Sequence, residues 1–174
     1  MRDVQPDEAR LYAKAMRGLV ASRLAIQDVV AQCGSGSVVL LDLDGFTRVN
    51  ERFGCGLGDR LLGRIEHALQ LAVRGHGHVV AIGGDQFLVV LPDVVPEWLS
   101  LSSLLSAVRH TSVRSRLGRS VRVTASAGAA RCPGNEDEVG DSLRAAQSQL
   151  TAARGGSHPQ PGSSVDVLWA FGAS

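Results

Sequence analysis

The residues best able to do chemistry in this chain are Asp42, Asp44 and Asp85. The first two end a short apolar run, Val38 to Leu43, that is rich in β-branched residues and reads as a buried strand. Asp85 belongs to Gly83-Gly84-Asp85, which lies between the apolar runs His78 to Ile82 and Phe87 to Leu91. Two such runs around a Gly-Gly or Gly-Asp turn signal a hairpin. If these strands are neighbours, the three carboxylates converge at one edge of a sheet. Convergent carboxylates with few histidines suit Mg²⁺ (or Mn²⁺), a hard cation that takes oxygen ligands and keeps waters for a phosphate. Such a metal activates a hydroxyl and neutralises charge at phosphorus. Aspartate and glycine also populate turns for conformational reasons, so only the joint pattern carries weight.

The elements that must position these residues follow from periodicity. Residues 7–32 carry Tyr12, Met16, Leu19, Ile26 and Val30 at helical spacing. Residues 33–37 break that helix, and the strand to Leu43 follows. A short turn or helix through Asn50 comes next. The glycine-rich stretch Gly54 to Gly58 leads into a helix with Leu61, Ile65, Leu69 and Ala72 on one face. After the hairpin, residues 97–109 read as a helix, with Trp98, Leu101, Leu105 and Val108 spaced three or four apart. Residues 120–130 read as one strand. Asn135 with Glu138 resembles a capping box, and it announces a helix lined by Val139, Leu143, Ala146, Leu150 and Ala153. A Gly/Pro/Ser loop (155–164) and a strand, Val165 to Phe171, complete the chain. The order indicates an α/β (α+β) domain with a mostly antiparallel sheet. We divide it into an N-terminal helix, 1–36, and a domain, 37–174.

Composition narrows the function. The chain has 174 residues, 18 basic against 17 acidic, for a net charge of +1. Seventeen of the basic residues are arginine, and Lys14 is the only lysine. Global balance argues against non-specific binding to nucleic acid or an anionic membrane. Aromatics are 4%, which supplies base stacking poorly and disfavours an RNA-binding module. There is no apolar run of about 18 residues, so no membrane span is expected. The N-terminus, MRDVQPDEAR, is polar, and no signal peptide is expected there. Cys33, Cys55 and Cys132 are odd in number and far apart, without zinc-like spacing. A cytoplasmic setting is expected.

The run from Val38 to Leu62 contains Asp42, Asp44, Phe46, Asn50, Gly54, Gly58, Asp59 and Leu62. It resembles the D-x-D-x-F-K-x-x-N-D-x-x-G-H-x-x-G-D-x-x-L signature of GGDEF domains, the diguanylate cyclase family. Gly83-Gly84-Asp85-Gln86-Phe87 resembles the name-giving hairpin with one change. Both signatures stand in the right order and separation, and the resemblance runs from about Met16 to about Gly156. It implies a palm-like fold related to nucleotidyl cyclases, with GTP as the bound nucleotide. It implies that Asp42 and Asp85 hold metal with the Leu43 carbonyl, and that Asp85, Asp42 and Gln86 occupy the catalytic positions. Gly45, Phe46 and Thr47 would offer backbone N–H groups to phosphates. Asn50 and Asp59 would read guanine, which suits their donors and acceptors. Gly83, Gly84 and, from the N-terminal signature, Leu19 complete the implied nucleotide contacts.

The departures are equally specific. Gln86 replaces the motif's glutamate and cannot serve as a base. Thr47 and Cys55 replace the signature's lysine and histidine. Near the C-terminus, Ala153 and Ser157 stand where the family has a lysine and an arginine that hold the triphosphate. A charge-assisted phosphate contact is worth roughly 1.5–3 kcal/mol, so losing both should weaken or alter phosphate binding. Arg48 and Arg154 are the candidate replacements, but Arg154 is expected to point about 100° away from the position of Ala153. Arg74 matches the first residue of the family's product-inhibition R-x-x-D, whereas Gly77 stands at the aspartate. His76 and His78 read as solvated loop residues.

These observations support a GTP-binding, GGDEF-like protein performing Mg²⁺-dependent chemistry on GTP, by hydrolysis or ring opening, without efficient cyclisation. One alternative is an active diguanylate cyclase, in which each of two subunits holds one GTP. The helix over 7–32 is a candidate for holding a homodimer together. The other alternative is an inactive module that senses GTP or cyclic di-GMP.

Overall fold

A computed structural model of the protein describes residues 35–133 and 136–155. The expected helix over 7–32, the Asn135 of the capping pattern, the segment 156–174, and with them Leu19 and Ser157, lie outside the described residues. Four strands form one sheet in the order β2-β3-β1-β6: β1 (Gly36–Leu43), β2 (His78–Gly83), β3 (Gln86–Pro92) and β6 (Ala125–Cys132). Every pairing in it is antiparallel. A two-stranded ribbon, β4 (Val113–Arg114) with β5 (Ser120–Val121), stands apart. The helices are α1 (Phe46–Phe53), α2 (Cys55–Val73), α3 (Leu101–His110) and α4 (Glu136–Gly155).

Parity along the strands explains the layering. Successive residues of a strand face opposite sides of its sheet. The odd-numbered Val39, Leu41, Leu43, Phe87, Val89 and Leu91 pack with α1, α2 and α3. The even-numbered Val38, Leu40, Leu88, Val90, Ala130 and Cys132 pack with Val139, Ala146 and Leu150 of α4. The central strands are therefore apolar on both faces, which is why they read as continuous apolar runs rather than alternating ones.

Three boundaries differ from expectation. Helix α2 begins at Cys55, inside the glycine-rich stretch, with Gly54 at its N-cap. Helix α3 begins at Leu101 instead of residue 97, because Ser100 and Ser103 cap each other reciprocally. Trp98, expected within the helix, thus falls outside it and is exposed. The single strand expected over 120–130 is divided into β5 and β6. It is interrupted at Thr124, whose carbonyl accepts the Asp44 N–H at 2.8 Å.

Candidate nucleotide site

The site forms at the end of the sheet where β1 finishes and the β2–β3 hairpin turns. Gly83 and Gly84 take φ of 121° and 60°, values that side chains rarely tolerate, and this permits the tight turn. The Leu43 N–H donates to the Asp85 carbonyl at 3.0 Å and ties that turn to the end of β1. Asp42 pairs in register with Gln86 on one side and Ser126 on the other. The expected convergence of carboxylates is therefore realised: β1 and β3 are neighbours, and both Asp85 and Asp44 act electrostatically on Asp42.

Asp42 is 1% exposed, and both of its carboxylate oxygens are engaged. Oδ2 accepts from Gln86 Nε2 at 2.6 Å. Oδ1 accepts from the Arg154 guanidinium, which forms an ion pair with it. Arg154 is thus held at Asp42, on the sheet side of its helix. The relevant reference is the stripe Ala146, Leu150, Arg154, spaced by four on the face that packs against the sheet. Asp42 has the parity of Val38 and Leu40, so it faces the same helix. The long arginine stem closes the remaining angle.

Asp44 has a different role from Asp42. Its carboxylate accepts from Thr124 Oγ1 at 2.6 Å and Ser126 Oγ at 2.8 Å, clamping the end of β1 to β6. Thr124 and Ser126 are thus residues that the motif reading missed, and Asp42 is a partner of Arg154 that it did not foresee. The alternate hydroxyls of Thr124-Ala125-Ser126, on a strand beside an acidic strand end, were the available signal. Asp85 is half-buried, and its carboxylate has no hydrogen-bond partner among the described residues.

Gly45 caps α1 in the left-handed conformation (φ 68°), Phe46 is buried, and Thr47 and Arg48 are exposed. The first amides of a helix lack intrahelical partners and favour anions. Asn50 lies on α1 and Asp59 is exposed on α2. Asn50 Oδ1 is buried without a partner among the described residues and lies against Gly58. Ala153 is half-buried on α4.

The site does not fit a divalent cation as it is arranged. The Asp42 oxygens hold an amide N–H and a guanidinium, both donors, where a cation needs free acceptors. No cluster of three or more His, Cys, Asp or Glu able to hold a metal occurs among the described residues. A Cβ on Gly77 would lie 2.6 Å from the Val90 carbonyl oxygen, so an aspartate is sterically shut out there. Arg74 stacks over Trp98 at 5.0 Å, and His76 meets the same ring edge-on at 5.6 Å.

The Asp42 carboxyl is held above the usual aspartate range, first because burial disfavours its charge. The Gln86 hydrogen bond pulls it back, the Asp85 charge raises it, Arg154 lowers it and Asp44 raises it. A carboxyl that binds its proton more tightly when folded gives stability that is full below its unfolded value, about 4. That stability is lost as pH rises through the folded value. The urea midpoint of the wild type is therefore expected to fall as pH rises above about 4, relative to Asp42→Asn. Parallel midpoints for the two proteins across that window would refute the shift.

An antiparallel sheet with helices on both faces, and acidic groups gathered at a Gly-Gly hairpin, defines a mixed α/β domain with an acidic, glycine-turned edge. The chain belongs to the GGDEF domain family: the family described as "Diguanylate cyclase, GGDEF domain" matches residues 19–158. The chain is 33% identical over 123 residues to the bifunctional diguanylate cyclase/cyclic di-GMP phosphodiesterase MucR of Pseudomonas aeruginosa, covering 68% of this chain and 18% of that protein. It is 31% identical over 103 residues to the diguanylate cyclase DosC of Escherichia coli, covering 58% and 22%. The chain thus spans about a fifth of the length of these relatives. Among solved structures, it superposes on the diguanylate cyclase SiaD of Pseudomonas aeruginosa with a TM-score of 0.62 at 26% identity, covering 78% of this chain and 52% of that one. The coiled coil and GGDEF domain of DgcB from Caulobacter crescentus gives 0.65 at 18% identity, covering 86% and 89%, a likeness of fold. Among the described residues no helix is long and apolar enough to cross a membrane.

Proposed function

We propose that this chain is a GTP-binding GGDEF domain that does not efficiently make cyclic di-GMP. The observation that carries this reading is the state of Asp42, closed by the Gln86 amide and the Arg154 guanidinium. A glutamate at position 86 would place a second negative charge beside Asp42 and call for a divalent cation between them. Glutamine instead supplies a hydrogen-bond donor, so the pair is self-satisfied without metal. Family membership and the unpartnered Asn50 Oδ1 support GTP as the ligand, since guanine carries N–H donors for such an acceptor. Asp59, exposed on α2, is the second guanine contact in this reading, and the amides of Gly45 to Thr47 are the phosphate contacts.

A second reading, slow consumption of GTP by hydrolysis or ring opening, is favoured by the half-buried, unpartnered Asp85 carboxylate at the turn. Calorimetry with GTP and ATP, followed by chromatography of GTP incubated with Mg²⁺, separates these readings. Selective GTP binding without a cyclic di-GMP peak is the expected result. GMP, GDP or a ring-opened product selects the second reading. Cyclic di-GMP as the main product would overturn both.

A further inference from the structure

The chain's net charge of +1 conceals a polarised surface. No Asp or Glu lies between Glu97 and Glu136, yet Arg109, Arg114, Arg116, Arg119, Arg122 and Arg131 do. Four of these crowd the β4–β5 ribbon. Val113, Val121 and Val123 are buried beneath it, so Arg114 and Arg122, which alternate with them, face outward. Arg116 and Arg119 flank the turn, and all four arginines are exposed. Among the described residues none of these four guanidiniums has an ion pair or a hydrogen bond. The turn itself is well tied. The Ser115 N–H donates to the Arg119 carbonyl at 2.8 Å, and the Gly118 N–H to the Ser115 carbonyl at 2.9 Å. The Arg119 N–H donates to Ser115 Oγ at 3.1 Å. Arg64 of α2 anchors the base of the ribbon through the Ser112 carbonyl at 3.0 Å. At the apex, ringed by these charges, Leu117 is 83% exposed.

We propose that the β4–β5 ribbon docks on an anionic lipid surface, with its arginines on the lipid phosphates and Leu117 entering the boundary between headgroups and acyl chains. Guanidinium donors match phosphate oxygens in pairs. The field of a charged bilayer decays over a Debye length of about 8 Å, so it senses the ribbon and not the balance of the whole chain. Leu117 decides between anionic partners. A single exposed leucine is ordinary on a protein surface. On a nucleic-acid backbone an apical leucine stays in water and adds nothing. No Phe, Tyr or Trp lies between Trp98 and Trp169 to stack on a base. At a bilayer the same side chain leaves water for hydrocarbon.

The full chain is expected to float with vesicles of equal parts phosphatidylglycerol and phosphatidylcholine, and to stay behind with phosphatidylcholine alone. Added salt releases it. Joint substitution of Arg116→Gln and Arg119→Gln lowers the partition coefficient about 30-fold, near fivefold for each charge at an anionic surface. Leu117→Ser alters no charge and lowers it at least about fivefold. Failure of the wild type to float with the anionic vesicles would overturn the proposal. Flotation that ignores Leu117→Ser, or that ignores the paired arginine substitution, would do the same. A gel shift of duplex DNA that needs the arginines and is untouched by Leu117→Ser, without flotation, would assign the ribbon to nucleic acid instead.

Discussion

Gly128→Ala is expected to destabilise the domain by about 3 kcal/mol, with a fall in Tm of roughly 10 °C. A Cβ at this position would sit 2.1 Å from the Ala146 carbonyl oxygen and 2.4 Å from the Leu150 amide nitrogen. Both are helical backbone atoms, so no side-chain rotation relieves the clash, and α4 must lift from β6. Lifting it opens the cluster of Val38, Leu40, Leu88, Val90, Ala130 and Cys132 beneath the helix. It also draws Arg154, one turn beyond Leu150, away from Asp42. Gly63 provides the contrast, since a Cβ there meets nothing within 4 Å and the residue is exposed within α2. Gly63→Ala is expected to raise stability by about 0.5–1 kcal/mol through helix propensity. Urea denaturation of both variants is the check. A Gly128→Ala protein within 0.5 kcal/mol of wild type, the ordinary scatter for surface substitutions, would show that α4 is not seated through this contact.

The sequence was legible where burial and turn chemistry spoke together. The run Val38 to Leu41 is apolar throughout because α1, α2 and α3 cover one face and α4 the other, and Gly83-Gly84 can turn where side chains cannot. Elsewhere the signal was too short or too local. The strands β4 and β5 have two residues each, fewer than one full alternation needs to show. Trp98 fits a helical spacing with Leu101 and Leu105, yet the Ser100–Ser103 cap starts the helix after it. The partner of Arg154 was not legible for a geometric reason. Comparison with Ala153 asks where a neighbouring residue points, whereas the stripe through Ala146 and Leu150 asks which face already touches the sheet. The substitution at Gln86 was visible in the sequence, but its consequence was not. That the amide donates to Asp42 depends on the cross-strand register of β1 with β3.

That distinction between a residue's identity and its satisfaction leads to the guanine end of the proposed site. A buried acceptor without a partner costs about 1–3 kcal/mol, so a stable domain that retains one does so at a thermodynamic loss unless a ligand supplies the donor. Asn50 Oδ1 is such an atom, while the Asn50 backbone carbonyl is already used by the Gly54 N–H at 2.9 Å. Asn50→Ala therefore removes the orphan acceptor and leaves the turn between α1 and α2 intact. Stability is expected to hold or to rise by about 1 kcal/mol, while GTP affinity falls about 10–100-fold. Gly58→Ala attacks the same atom from the other side, because its Cβ would lie 1.9 Å from Asn50 Oδ1 and 3.1 Å from Phe46 Cζ. It must push the amide aside and press on a buried ring, so affinity and stability fall together. Calorimetry for GTP and thermal unfolding of both variants separate the two causes. If Asn50→Ala loses stability and keeps GTP affinity, the amide is a packing residue and guanine is read elsewhere.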